Sequence, residues 1–521
     1  MNARAIQPAL AALHAGRIAE AERMLRRLLR QQPENAEALH CLGIALHALG
    51  QNTQALSFFE RSLRLEPANS QAENNRATVL NALGRAAEAL GCLDRALMLA
   101  PDDPALHYNR GNTLMTLLRD EEAVAAFDAA LARQPDFRQA LQNKGIVLTR
   151  LGRPAEALAT YEKLLALYPA GAAADVTLSE ARVNRAWALD RMNRRSEALA
   201  ACDAAIAGDA AHALAHFNAA PICLAMGDYE RGWREFEWRW RDPTFKVHAR
   251  NFAQPLWLGR ESLQGRTILL YAEQGFGDTI QFCRYAPLVK ARGATVIMEA
   301  APPLLPLLRT LRGVDEFVAF GTKLPPFDFQ TPMMSLPLAF DTRLESIPAE
   351  VPYLASDPAR VKKWREILGA PRGLRVGLAW SGNRELQSDN VRSARLAELA
   401  PLFRDGIEYV SVQKDVRPHD LAEAPRLGLH LFGEQVEDFA DTAALISLMD
   451  IVVSVDSAPA HLTGALARPV WLLLYFAAEW RWLMQREDSP WYPTARLFRQ
   501  RTALDWREVA QRVGDALASH R

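Results

Sequence analysis

Five prolines, Pro33, Pro67, Pro101, Pro135 and Pro169, stand 34 residues apart in a chain of 521. With proline near 5% of residues, four further hits at one fixed spacing arise by chance with odds of roughly 10⁻⁵. Two other columns keep the same ruler. Ala21, Ala55, Ala89, Ala123 and Ala157 form one; Gly16, Gly50, Gly84 and Gly152 form the other, with Leu118 in the one place where glycine is missing. After Pro169 about seven residues are inserted, within GAAADVTLSE, and the pattern resumes at Asn193, Ala198 and Gly227. Glycine, or asparagine at 193, supplies a left-handed turn between two helices. The alanines let those helices approach closely, and proline ends the second one. The period predicts stacked helical pairs.

This pattern resembles the tetratricopeptide repeat, a 34-residue helical pair that stacks into a superhelix. The resemblance covers about residues 2–240, some seven units. A further column, Asn75, Asn109, Asn143, Asn184 and Asn218, falls at one position of the first helix, with Cys41 in the earliest unit. The resemblance implies that this helix lines the concave groove, so the column would form a ladder of amides. An amide donates and accepts, and can hold an extended peptide backbone without reading its sequence. O-GlcNAc transferase holds protein substrates on a similar ladder. The same asparagines could instead bond only to neighbouring helices. Beside them run Arg76, Arg110, Lys144 and Arg185, expected to be a solvated, internally paired face.

Composition narrows the partners. Lys+Arg and Asp+Glu are equal at 61 each, so no global field favours nucleic acid or an anionic membrane. The first residues are interrupted by charge too often for a secretory signal. The longest apolar run near the C-terminus, Val470 to Ala478, falls well short of the roughly 20 residues needed to span a bilayer. Cys41, Cys92, Cys202, Cys223 and Cys283 lack metal-site spacing and read as core residues of a reducing compartment. A soluble cytoplasmic protein without a membrane span is expected.

Around residue 240 the period disappears and aromatics accumulate at Trp233, Trp238, Trp240 and Trp257. We read 1–240 as repeats and 241–265 as cap and linker. Strand-like runs TILLYAE, ATVIMEA and DEFVAF then alternate with helical segments. A second series follows: RVGLAWSG, IEYVSVQK, LHLFG, DIVVSVDS and PVWLLLY. The alternation predicts two α/β halves with parallel sheets, 266–368 and 369–521, the latter ending in a helix. Ligands of such sheets sit at the C-terminal strand ends. EQGFGD, WSGN and DSAPAH all fall there.

Gly277-Asp278 opening a helix, together with VDSAPAHLTGALARPVW, resembles the bacterial heptosyltransferases. These are glycosyltransferases of the GT-B fold, built from two Rossmann-like halves. EQGFGDTIQF, SLP, DSAPAHLTGAL and EWRWLMQREDSPWYPTARLFRQ also resemble bacterial proteins in which such repeats precede a heptosyltransferase-like domain. The family's proposed general base transfers to Asp278, with Glu273 as the next candidate and Gln274, Gly275 and Gly277 forming the cleft turn. The alternative for Asp278 is a helix cap without chemistry. The family's donor block transfers to Asp456, Ser457 and His461, with Ala458 where glycine is usual. Ser381, Gly382 and Asn383 offer a backbone cradle for the donor diphosphate. The family's phosphate-binding lysine is missing, so Arg384 or Arg392, with Ser393 beside the latter, would take its place. Trp480, Trp482 and Trp491 could stack a ligand or fill the core.

No Asp-x-Asp motif stands in a suitable place, so no metal and no cofactor beyond a nucleotide-sugar donor are expected. The implied activity is inverting, metal-independent transfer to Ser or Thr of a protein held by the repeats. Alternatives are an inactive scaffold, and transfer to lipopolysaccharide or another glycan.

Overall fold

The structure, a computed structural model, describes residues 3–169, 176–242, 245, 249–385 and 389–520. Part of the inserted GAAADVTLSE segment and residues 386–388 lie outside the described residues, as does part of the 241–265 linker. The chain divides into two compact units, Met1–Ala188 and Leu189–Arg521.

In the first unit the helices pair as the period requires. Gly16, Gly50, Gly84 and Gly152 take φ between 69° and 75° at the turns within pairs, and Leu118 takes the same left-handed conformation at 58°. Between pairs, each proline follows the helix end, and Asn35, Asn69 and Asp103 then cap the next helix by accepting from its backbone N–H groups. Packing within a pair is set by complementary size. A Cβ on Gly43, Gly111 or Gly145 would lie within 2.8 Å of the ring of Phe59, Phe127 or Tyr161. Where the aromatic column carries Leu93 instead, the small column carries Ala77.

The second unit begins inside the helical region. Arg195–Gly208, Ala213–Met226 and Tyr229–Phe236, followed by a 3₁₀ turn over Glu237–Arg241, form a helical cap on the α/β part, ahead of the 241–265 segment expected to be the cap. The sequence placed the boundary near 240. The division falls earlier because these helices bury aromatics in the α/β part. Trp233 lies edge-on to Trp480 at 5.2 Å, and Trp491 Nε1 donates to the Tyr229 hydroxyl at 3.1 Å.

Two parallel sheets follow. The first contains β1 (Thr267–Tyr271), β2 (Thr295–Ala300), β3 (Glu316–Ala319) and β4 (Phe329–Pro332), in the order β3-β2-β1-β4. The second contains β5 (Leu374–Ala379), β6 (Ile407–Ser411), β7 (Leu429–His430), β8 (Ile451–Val455), β9 (Val470–Leu474) and β10 (Ala495–Arg499). Its order, β10-β9-β8-β5-β6-β7, is that of a doubly wound nucleotide-binding sheet. The strand order reverses between β1 and β4 and again between β5 and β8. A crevice is expected at each reversal, where successive connections leave on opposite faces. EQGFGD and the buried SLP turn flank the first. WSGN and DSAPAH flank the second.

Candidate functional site

β1 delivers Glu273 to Gly277 into the first crevice, and the helix Phe276–Phe282 begins there. Asp278 is the third residue of that helix. Its Oδ2 accepts from the Gly275 backbone N–H at 2.9 Å, as in one arm of a capping box. Its Oδ1 accepts from Arg481, which lies beyond β9. Burial pushes the Asp278 carboxyl up, while the Arg481 guanidinium pulls it back down. Asp278 is thus both a cap and one half of an ion pair linking the two α/β halves.

Glu273 is placed differently from the expectation of a second base in the cleft. Both its oxygens accept from Nη2 of Arg239 at 3.0 Å, and its side chain is 1% exposed. Arg239 comes from the helical cap and also bonds Glu237 and Ser335, the serine of SLP. Burial raises the Glu273 carboxyl to about 7 against that pairing. The geometry makes Glu273 a tie between cap and β1. Gln274 and Gly275 are exposed at the turn.

Gly277 sets the distance between the halves. A Cβ there would meet His461 Cδ2 at 2.9 Å and Ala458 Cα at 3.6 Å. These residues belong to the helix Ala458–Ala465, which follows β8 and has Ser457 at its N-cap. His461 is buried. Its Nδ1 lies 3.0 Å from the Tyr492 hydroxyl, its ring stacks on Trp482 at 5.5 Å, and Nε2 is 3.7 Å from Asp456. Burial and the nearby Arg481, Arg284 and Arg392 hold its pKa well below the ordinary histidine value, so the ring is neutral at pH 7. Burial together with Glu479 raises Asp456 to about 7. Asp456 Oδ2 and Trp482 Nε1 are both buried without a hydrogen-bond partner among the described residues. The indole lies close enough to favour the charged carboxylate but outside hydrogen-bond geometry.

The loop after β5 forms one wall of a cleft of about 890 Å³. Ser381, Gly382, Asn383 and Arg384 line it, facing Lys414 to Val416 after β6 and Leu431 to Gln435 after β7. Gln413 holds this wall: Oε1 accepts from the N–H groups of Trp380 and Ser381 at 3.0 Å, and Nε2 donates to Ser381 Oγ at 2.8 Å. Ser393 Oγ accepts from the Gly382 N–H at 2.9 Å. Its other partners are Asp389 and Arg417, so it supports the loop. Arg392 packs on Gly382, where any Cβ would collide with its guanidinium at 2.4 Å. Its Nε is buried with no partner among the described residues. It lies within electrostatic reach of Asp278, Asp456 and His461.

The structure therefore brings together Asp278, Gly277, Asp456, Ser457 and His461 in one cluster. The Ser381–Arg384 wall stands beside a second space, and Arg392 lies close to both. Sequence reasoning missed Arg481, although it stands in the quoted EWRWLMQ. It also missed the walls after β6 and β7, whose signal was position alone: QKD and FGEQ follow strand runs at their C-terminal ends. Trp480, Trp482 and Trp491 are buried core residues.

In the repeats, Asn75, Asn109 and Asn143 donate to His40, Asn74 and Asn112, about one repeat back. Asn184 and Asn218 have no such bond among the described residues. The basic column is paired as expected. Arg76, Arg110, Lys144 and Arg185 face Glu60, Asp94, Asp128 and Glu162, which themselves keep the 34-residue register.

Comparison with known proteins finds matches in both parts of the chain. Residues 8–72, 108–172 and 46–118 match tetratricopeptide repeat families, and residues 436–478, from the helix before β8 to just beyond β9, match glycosyltransferase family 9 (heptosyltransferase). Protein FlbA of Caulobacter vibrioides is 28% identical over 375 residues, 65% of this chain; the match spans 61% of FlbA's own length. Among solved structures, a tetratricopeptide repeat protein from Parabacteroides merdae is 21% identical, covering 48% of this chain and 93% of that one at a TM-score of 0.37. YrrB, described as a repeat protein with an unusual peptide-binding site, is 21% identical over 37% of this chain and 95% of its own, with a TM-score of 0.32. No helix among the described residues is long and apolar enough to cross a membrane. The chain matches tetratricopeptide repeats in its N-terminal part and, over one segment of its C-terminal α/β part, resembles the family 9 glycosyltransferases.

Proposed function

We propose that the chain is an inverting glycosyltransferase that moves a sugar from a nucleotide-sugar to a Ser or Thr hydroxyl of a protein acceptor held by the repeats. The observation that carries this reading is the meeting of the Gly277–Asp278 turn, through Gly277, with Ala458 and His461, one segment from each sheet reversal. In the reaction the acceptor oxygen attacks the anomeric carbon and its proton passes to Asp278. The bond from that carbon to the diphosphate oxygen breaks, and the electron pair leaves with the diphosphate. Arg392 and the N-terminal end of helix Ala458–Ala465 would neutralise that charge without a metal, and the neutral His461 would donate a hydrogen bond. The cleft of about 890 Å³ beside Ser381–Arg384 would take the nucleoside. For the acceptor, the ladder amides that donate to neighbouring repeats keep their carbonyl oxygens available to peptide N–H groups.

One observation favours a binding-only scaffold instead: both oxygens of Asp278 are already engaged. The readings separate by experiment. The full chain is incubated with UDP-, GDP-, ADP- and CMP-activated sugars and candidate acceptor proteins, and transfer is read by intact mass. Transfer that survives EDTA and falls roughly 10²-fold or more in Asp278→Asn, with donor affinity nearly unchanged, supports the enzyme. Donor binding without transfer in the native chain supports the scaffold. Loss of transfer on chelation would overturn the metal-independent chemistry.

A further inference from the structure

Arg481 sits between two buried tryptophans with its side chain only 6% exposed. Every arm of its guanidinium is held. Nε donates to Gln281 Oε1 at 2.6 Å, Nη1 donates to Glu479, and Nη2 donates to Asp278. Its face lies over the Trp480 ring, 4.4 Å from the centroid. The segment that carries it is anchored in turn by the helical cap: Arg195 donates to the Ala478 carbonyl, and Trp233 packs against Trp480. A space-filling residue would pack between the tryptophans without the desolvation that a buried arginine suffers. The cation is accounted for by what it faces.

We propose that Arg481 is a positioning residue that keeps Asp278 ionised and fixed in the crevice, so that the helical cap, through the loop it anchors, sets the readiness of the base. The proposal rests on the reading of Asp278 as that base. Several titratable groups stand on the elements packed around the Asp278 carboxylate. Arg481 and Glu479 come from the loop after β9, Arg392 from the segment after β5, and Glu273 from the end of β1. Asp456 and His461 come from the end of β8 and the helix that follows. Burial and Glu479 favour the protonated form; Arg481, the Gly275 N–H and Arg392 oppose it, Arg481 most strongly. Even with those partners burial keeps the folded pKa above that of the unfolded chain, and without Arg481 it would stand higher still. Such a group contributes stability at low pH that is lost as pH rises through the folded pKa.

The test is a melting cycle on the full chain at pH 5.5 and pH 8.5, with Arg481→Met, Asp278→Asn and the double variant. At pH 8.5 Arg481→Met should lower Tm by roughly 5 °C or more, because it leaves a buried carboxylate unpaired. Adding Asp278→Asn should restore more than half of that loss. At pH 5.5 the addition should restore less, since a raised carboxyl is more protonated there. Arg481→Lys, which keeps the charge, should lose less than half as much at pH 8.5. A loss that is equal at both pH values and is not restored by Asp278→Asn would make Arg481 a packing residue and overturn the proposal. If the Met variant does not fold, the same cycle run on Arg481→Lys decides by the same criterion. Failure of Asp278 as the base would appear instead as undiminished transfer by Asp278→Asn, with the melting cycle unchanged.

Discussion

At the scale of single residues, Leu118 shows how strongly the repeat dictates backbone. It holds a left-handed conformation at φ 58° where its counterparts are glycine, and its side chain is 74% exposed. A β-carbon there strains against its own carbonyl, at about 1 kcal/mol or more for an ordinary residue. Leu118→Gly should therefore raise stability by about 0.5–1 kcal/mol, the unfolded-state entropy of glycine offsetting part of the gain. Urea unfolding followed by helical circular dichroism measures this, and a loss of stability would mean that the exposed leucine makes a contact worth more than the strain. The same scale separates Asp278 from Glu273. Both stand in one short turn, and both are carboxylates at a strand end. Sequence order placed them equally near the crevice. Only the partner distinguishes them, because Arg239 comes from the cap and Arg481 from two hundred residues downstream.

At the scale of elements, the repeat helices pack by exchange of volume. Gly145 faces Tyr161, and a Cβ there would sit 2.5 Å from the ring. Gly145→Ala should cost about 1–3 kcal/mol, the usual penalty of overpacking. Pairing it with Tyr161→Leu recreates the Ala77 and Leu93 combination found two repeats earlier. The double variant should regain more than half of that loss in the same urea titration, and failure to regain it would mean that the ring clash is not the cause. Among the strands, eight of the ten were legible from apolar runs bounded by turn residues. β4 and β10 were not. Both lie at sheet edges, β4 closes on Pro332, and β10 alternates buried residues with an exposed arginine. Edge strands need no continuous apolar run, so they leave a weaker signal. The helical segment that the alternation places between β1 and β2 is broken into Phe276–Phe282, a 3₁₀ turn and Ala286–Lys290.

At the scale of the molecule, the second unit includes helical pairs that the 34-residue ruler assigns to the repeats. A fragment of 245–521 lacks Tyr229, Trp233 and Arg239, which exposes the faces of Trp480 and Trp491 and leaves Glu273 buried without its cation. Breaking such a buried pair costs about 3–5 kcal/mol, before any loss of apolar burial. This fragment should aggregate or melt well below the full chain. A fragment of 189–521 should elute as a folded species with one cooperative transition. Size exclusion and calorimetry on the two fragments check this, and a stable 245–521 would show that the cap is dispensable.

The sequence by itself determined the periodic part and the class of the rest. Helical pairing follows from local rules, a left-handed turn residue and a proline at fixed spacing, which act within one repeat and need no distant partner. The parallel sheets followed from alternating runs, and the strand-end position of EQGFGD, WSGN and DSAPAH followed from the sheets. Tertiary structure alone decided which charges meet. Asp278 with Arg481, Glu273 with Arg239, and Gly277 against His461 are contacts between segments far apart in the chain, and no local propensity encodes them. Their energies depend on burial, which exists only once the two halves and the cap have packed. The same packing turned the tryptophans from candidate ligand platforms into core, and it drew the helices from residue 189 onward into one compact unit with the α/β part.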